Sequence, residues 1–189
     1  MVVCLEEWMP FLRKKIAHYD IAKVIDVVPG GTTGQESIRN GLAALEAAVG
    51  RGHAVFVHDG VRPLVSDETI TRCAESVVAH GNAISVTPAI ETIVQEEDGV
   101  VTNIIDRAAC RMAKAPQCFN IGELIDAHER ALADGEDGFI DSASLMRHYG
   151  HVLHTVETGP ENIKITTPSD FYIFRAFVDA RESSEIFGF

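Results

Sequence analysis

The chain has 189 residues, 46% of them hydrophobic and 23% charged, with a formal net charge of −12. That length supports one domain with a sizeable core, and no apolar run is long enough to cross a bilayer. So acidic a surface repels nucleic acid and anionic membranes, so the expected partners are small ligands met by local cations.

Met1–Leu5 reads as a buried strand and Glu6–Tyr19 as a helix, with Pro10 tolerated near its first turn. Val24–Val28 is the next strand, closed by the turn residues Pro29, Gly30 and Gly31. Over Gln35–Val49, the residues Ile38, Leu42, Leu45 and Val49 recur at helical spacing and make one apolar face. Strand Ala54–Val57 follows. A helix then begins near Ser66, whose hydroxyl can cap it while Asp67 and Glu68 suit its positive end. Ile70, Cys73, Val77 and Val78 form the buried stripe expected of that helix.

Residues 88–112 break this rhythm. Glu91–Gln95 and Val100–Ile105 are β-rich runs joined across Asp98-Gly99, which predicts an inserted hairpin arm. A lone two-stranded arm is marginal in water, so it is expected to pack on a second subunit. Helix Ile121–Ala133, helix Asp141–Tyr149, strands Val152–Val156 and Ile163–Thr166, and helix Ser169–Ser183 complete a single domain over residues 1–189. Strands alternating with helices predict an α/β fold with a mostly parallel sheet, whose sites lie at the carboxyl ends of the strands.

Four scattered cysteines, Cys4, Cys73, Cys110 and Cys118, predict neither a disulfide scaffold nor a zinc site and suit a reducing cytoplasm. The histidines show no metal-ligand spacing, and no GxGxxG follows a strand, which disfavours a dinucleotide-binding protein. Two segments stand between a strand and a helix, where ligands bind. In PGGTTGQES, Gly30 and Gly31 let the backbone approach an anion or a base edge, and Ser37 offers a hydroxyl in the first helical turn. The same residues equally make a tight turn with its cap. In HDGVRP, Asp59 can hold Mg²⁺ and Arg62 can take a phosphate or hydroxyl group, or the two can simply brace the turn before Pro63. Lys164 in NIKITTPSD is either a solvated strand lysine or a ligand cation, whereas Thr166, Thr167, Ser169 and Asp170 suit a helix cap. Arg107 and Lys114 read as ordinary charges by themselves.

Taken in order, PGGTTGQESIRNGL, VFVHDGVRPL, PAIETI, IDR, APQCF, FIDSAS and ENIKITTPSD resemble the successive motifs of cytidylyltransferases acting on polyol phosphates, from Met1 to about Arg181. The resemblance implies a Rossmann-like, three-layer domain that forms a homodimer through the hairpin arm. It implies transfer of CMP from CTP to ribitol 5-phosphate or 2-C-methyl-D-erythritol 4-phosphate, with Mg²⁺ and release of pyrophosphate. Carried over by motif, Gly30, Gly31 and Ser37 contact the cytosine end, and Asp59 lies by the metal and ribose. Arg62 stands near the substrate, Thr92 and Arg107 reach its phosphate across the dimer, and Lys164 steadies the α-phosphate. HDGVRP and Glu6–Met9 lean towards the ribitol-phosphate group.

The family also opens with a strand and a Gly-rich phosphate loop that this sequence does not match, since Met1-Val2-Val3-Cys4 already aligns with the second strand. The expectation is a chain truncated at its N-terminus and impaired in transfer, or else a non-catalytic dimeric nucleotide-binding or scaffold descendant. The unmatched strand would lie between those of Val2–Leu5 and Ala54–His58, leaving them roughly 9.6 Å apart unless the sheet closes or another chain fills the gap. Gly34, Ala115 and Ile140-Asp141-Ser142 also depart from the family pattern.

Overall fold

The computed structural model describes residues 1–136 and 138–187, as alternating strands and helices. In chain order these are β1 (Val2–Cys4), α1 (Met9–His18), β2 (Val27–Pro29), α2 (Gly34–Val49), β3 (Ala54–Val57), α3 (Asp67–His80) and β4 (Asn82–Pro88). There follow β5 (Ile93–Glu97), β6 (Val100–Ile105), β7 (Arg111–Asn120), α4 (Ile121–Asp134), α5 (Ser142–His148), β8 (Thr155–Glu157) and α6 (Pro168–Phe187). They divide into two units: Met1–Val57 with Cys118–Leu153, and His58–Gln117 with His154–Phe189.

In the first unit β1 and β2 pair in parallel, with Val2 opposite Val27. Helix α2 starts where the Thr33 hydroxyl accepts the Glu36 N–H at 3.1 Å, and it stops at Gly50, whose φ of 79° suits glycine. It comes so close to β1 that a Cβ on Gly41 would stand 2.8 Å from the Val3 side chain. Leu42 is buried as expected, but Val49 at the end of the anticipated stripe is exposed. The core of this unit centres on α4, whose Ile121, Leu124, Ile125, Ala127, His128 and Ala131 are all buried. Asn120 caps α4, and Asp141 with Ser144 forms a capping box at α5. Strand β3 lies beside β7 in a different sheet from β1 and β2, so the described strands do not close the ladder between β1 and β3.

In the second unit β4 runs parallel to β8, Ile84 facing Thr155, with β7 on the other side of β4. Ser66 caps α3 as the sequence predicts, its Oγ accepting the Thr69 N–H at 3.1 Å. The predicted stripe is corrected in part: Cys73 is fully buried, while Ile70 and Val78 are exposed and Thr69 turns inward. Strands β5 and β6 form the expected antiparallel hairpin, turning at Asp98 and Gly99 with φ of 51° and 79°. Strands β4 and β7 were not anticipated; Lys114, Pro116 and Gln117 disguise β7 as a loop. The strand expected over Ile163–Thr166 does not form, and that segment is irregular. Helix α6 opens on the anticipated cap: Asp170 Oδ2 accepts the N–H groups of Thr166 and Thr167 at 2.9 and 2.7 Å.

Candidate functional site

The turn after β3 is built from its own polar groups. The Arg62 N–H donates to the Asp59 carbonyl at 3.0 Å. The Arg62 carbonyl lies 2.9 Å from His58 Nε2, which must carry a proton to donate to it. The Arg62 side chain then folds back, with Nε donating to Asp59 Oδ2 at 2.9 Å and Nη1 to the Asn162 carbonyl at 2.9 Å. At 9% exposure Arg62 makes the bracing contacts that the sequence offers as one of its two readings. Lys164 reaches Asp59 Oδ1 at 3.4 Å, and the Ile165 N–H is held by the Val61 carbonyl at 2.9 Å.

Asp59 is therefore flanked by a cation on each oxygen, and the trio with Arg62 and Lys164 carries one net positive charge. The Asp59 and Lys164 side chains are 36% and 47% exposed. A contact of that length and exposure is worth about 0–1 kcal/mol. Lys164 can thus swing to a ligand phosphate at little cost, while the more buried Arg62 holds the carboxylate still. Among the described residues no three His, Cys, Asp or Glu side chains cluster as a metal cage. A single accessible carboxylate still suits Mg²⁺, which binds through one or two carboxylates with phosphate and water completing its shell.

Asn162, which sequence reasoning passed over, is fully buried behind this trio. Its Nδ2 donates to the Ala115 carbonyl at 2.8 Å and to Thr158 Oγ1 at 3.3 Å. Its only sequence signal is its place between the Gly-Pro-Glu turn and Ile163-Lys164. Lys114, treated as an ordinary charge above, lines a cavity of about 750 Å³ with Ser66, Thr69 and Arg72. Burial, and then the nearby Arg62 guanidinium, hold its ammonium pKa below the ordinary lysine value.

Thr92 and Arg107 come together in another cavity of the same unit, of about 700 Å³, which Asp59, Arg62 and Lys164 do not line. Arg107 Nη1 donates to the Ile90 carbonyl at 2.7 Å there. Gly30, Gly31 and Ser37 meet in the first unit. The Gly31 N–H donates to Ser37 Oγ at 3.0 Å, and that hydroxyl donates on to the Thr33 carbonyl at 2.9 Å. A Cβ on Gly31 would collide with the Glu36 side chain, which explains the glycine on steric grounds.

Residues 4–180 match the family model described as 2-C-methyl-D-erythritol 4-phosphate cytidylyltransferase. A ribitol-5-phosphate cytidylyltransferase of Vibrio parahaemolyticus is 46% identical over 189 residues, covering 100% of this chain and 79% of the relative. A 2-C-methyl-D-erythritol 4-phosphate cytidylyltransferase of Syntrophotalea carbinolica is 38% identical over 179 residues, covering 94% of this chain and 76% of the relative. The crystal structure of the 4-diphosphocytidyl-2C-methyl-D-erythritol synthase of Anaerococcus prevotii superposes with a TM-score of 0.83 at 26% identity, covering 94% of this chain and 77% of that one.

Proposed function

The chain belongs to the 2-C-methyl-D-erythritol 4-phosphate cytidylyltransferase family of nucleotidyltransferases, and on that premise we propose that it transfers the cytidylyl group of CTP to ribitol 5-phosphate. The observation that carries the acceptor is the greater identity to the ribitol-phosphate enzyme, sustained over every residue of the chain. Relatives named as enzymes favour transfer over a non-catalytic scaffold.

In the proposed reaction an oxygen of the acceptor phosphate attacks the α-phosphorus of CTP. One P–O bond forms, the bond to the β-phosphate oxygen breaks, and pyrophosphate leaves. The attacking oxygen is already ionised, so the chain needs no strong general base; it needs alignment and positive charge. Lys164 supplies that charge to the α-phosphate by turning from Asp59. Asp59, held by Arg62, is the residue that would hold Mg²⁺, which when bound draws negative charge from the phosphates. Gly30, Gly31 and Ser37 serve the base, and Thr92 and Arg107 serve the acceptor phosphate of a second protomer. The exposed valines of the hairpin, Val94, Val100 and Val101, support a homodimer built on that arm. The scattered cysteines suit a reducing cytoplasm, and we place the enzyme there. Among the described residues no helix is long and apolar enough to cross a membrane.

The test is pyrophosphate release from CTP and Mg²⁺ with each polyol phosphate. We expect kcat/KM to be at least tenfold higher for ribitol 5-phosphate. Equal or better use of methylerythritol 4-phosphate refutes the acceptor, and silence with both refutes the reaction.

A further inference from the structure

We infer that Asn162 is a positioning residue for cytidylyl transfer, fixing Arg62 and through it the carboxylate that Lys164 shares. The inference rests on the roles proposed above for Asp59 and Lys164. Its geometry is a single chain of contacts within the second unit. The Asn162 amide nitrogen donates to the Ala115 carbonyl of β7 at 2.8 Å and to Thr158 Oγ1 at 3.3 Å, pinning its segment on two sides. The backbone carbonyl of the same residue receives Arg62 Nη1 at 2.9 Å. Arg62 Nε in turn donates to Asp59 Oδ2 at 2.9 Å, which leaves Oδ1 for Lys164.

Only a side chain with two N–H donors meets both acceptors at once. Aspartate has none when ionised, and leucine would leave the Ala115 carbonyl without this donor. Thr158 is itself fixed, since its Oγ1 lies 2.9 Å from Thr69 Oγ1 on α3. The brace therefore ties a sheet strand and a helix to the turn that bears Asp59. Asn162 Oδ1 is buried without a hydrogen-bond partner among the described residues. Lys164 follows two residues later, so the same anchor limits where its ammonium can stand.

The experiment compares the full chain with its Asn162→Ala, Lys164→Ala and doubly substituted forms. Asn162→Ala is expected to lower kcat at least tenfold with KM for CTP within threefold, and to cost clearly less in the Lys164→Ala background, where only the proposed metal role of Asp59 remains to be disturbed. In the folded variant the Arg62 Nε–H signal, followed by NMR, should exchange with solvent at least tenfold faster than in the parent. A parent-like Arg62 signal overturns the inference, as does a kcat loss repeated in full without Lys164. A wild-type kcat in Lys164→Ala instead refutes the underlying site assignment, and the Arg62 signal then still decides whether Asn162 holds the arginine. If Asn162→Ala does not fold, Thr158→Val removes one acceptor of the brace and is expected to lower kcat two- to fivefold, again by less in the Lys164→Ala background.

Discussion

Acidification should weaken the first unit through one residue, His128. It is 3% exposed on α4, its Nε2 has no hydrogen-bond partner among the described residues, and the structure lowers its pKa from 6.5 to about 4. Burial is the main cause, because the charged imidazolium loses its water; the Arg39 guanidinium on α2 adds repulsion. Because the folded value is depressed, the unfolded chain binds the extra proton first. The stability is thus fully present above pH 6.5, falls as pH drops, and levels off below about pH 4. A gap of about 2.5 pKa units corresponds to about 3 kcal/mol in total, of which about 2 kcal/mol is lost between pH 7 and pH 5. Urea unfolding of the parent and of His128→Leu at both pH values isolates the effect, since the remaining groups titrate in both proteins. The parent should lose about 2 kcal/mol more than the variant. Parallel losses would refute the assignment of a neutral, desolvated imidazole at this position.

Other outcomes follow from single contacts. Gly31→Ala pushes a methyl into Glu36 and should cost about 2 kcal/mol by urea unfolding, in line with other overpacked sites; an unchanged midpoint would contradict the steric reading. Ser66→Ala removes the α3 cap and should cost about 1 kcal/mol in the same assay, and no loss would mean the cap contributes nothing. Val101→Glu places a charge on the exposed hairpin and should convert a dimer to monomers in sedimentation velocity. A parent that is already monomeric at micromolar concentration would remove the arm from the assembly.

Much of the fold was legible because period and capping agree. The helical spacing over 35–49, the Ser66 cap and the Asp98-Gly99 turn each had a local cause, and each formed. What stayed hidden depended on partners distant in sequence. Strand β7 carries lysine, proline and glutamine and is strand because β3 and β4, both distant in sequence, pair with it. Lys164 alternates with apolar neighbours as a strand residue does, yet its segment is irregular and is held by hydrogen bonds to Val61 and Arg62. The site divides in the same way. Asp59 and Arg62 meet three residues apart, as HDGVRP suggested, whereas Asn162 reaches Ala115 across 47 positions and gave no local sign. The exposed Ile70 and Val78 show that an apolar stripe of α3 finds less cover than its spacing promised.

The start of α2 has an electrical character of its own. Glu36 turns back so that one carboxylate oxygen takes the Thr32 N–H at 2.6 Å and its hydroxyl at 2.8 Å, contacts that keep the acid below its ordinary pKa. With Gly30 donating to Cys4 and Gly31 to Ser37, three consecutive amides point inward and the helix's positive pole is stoppered by its own anion. Whatever docks on this bend meets oxygen lone pairs and negative charge. That charge repels an arriving phosphate there and suits the exocyclic amine of the base in the reaction proposed above.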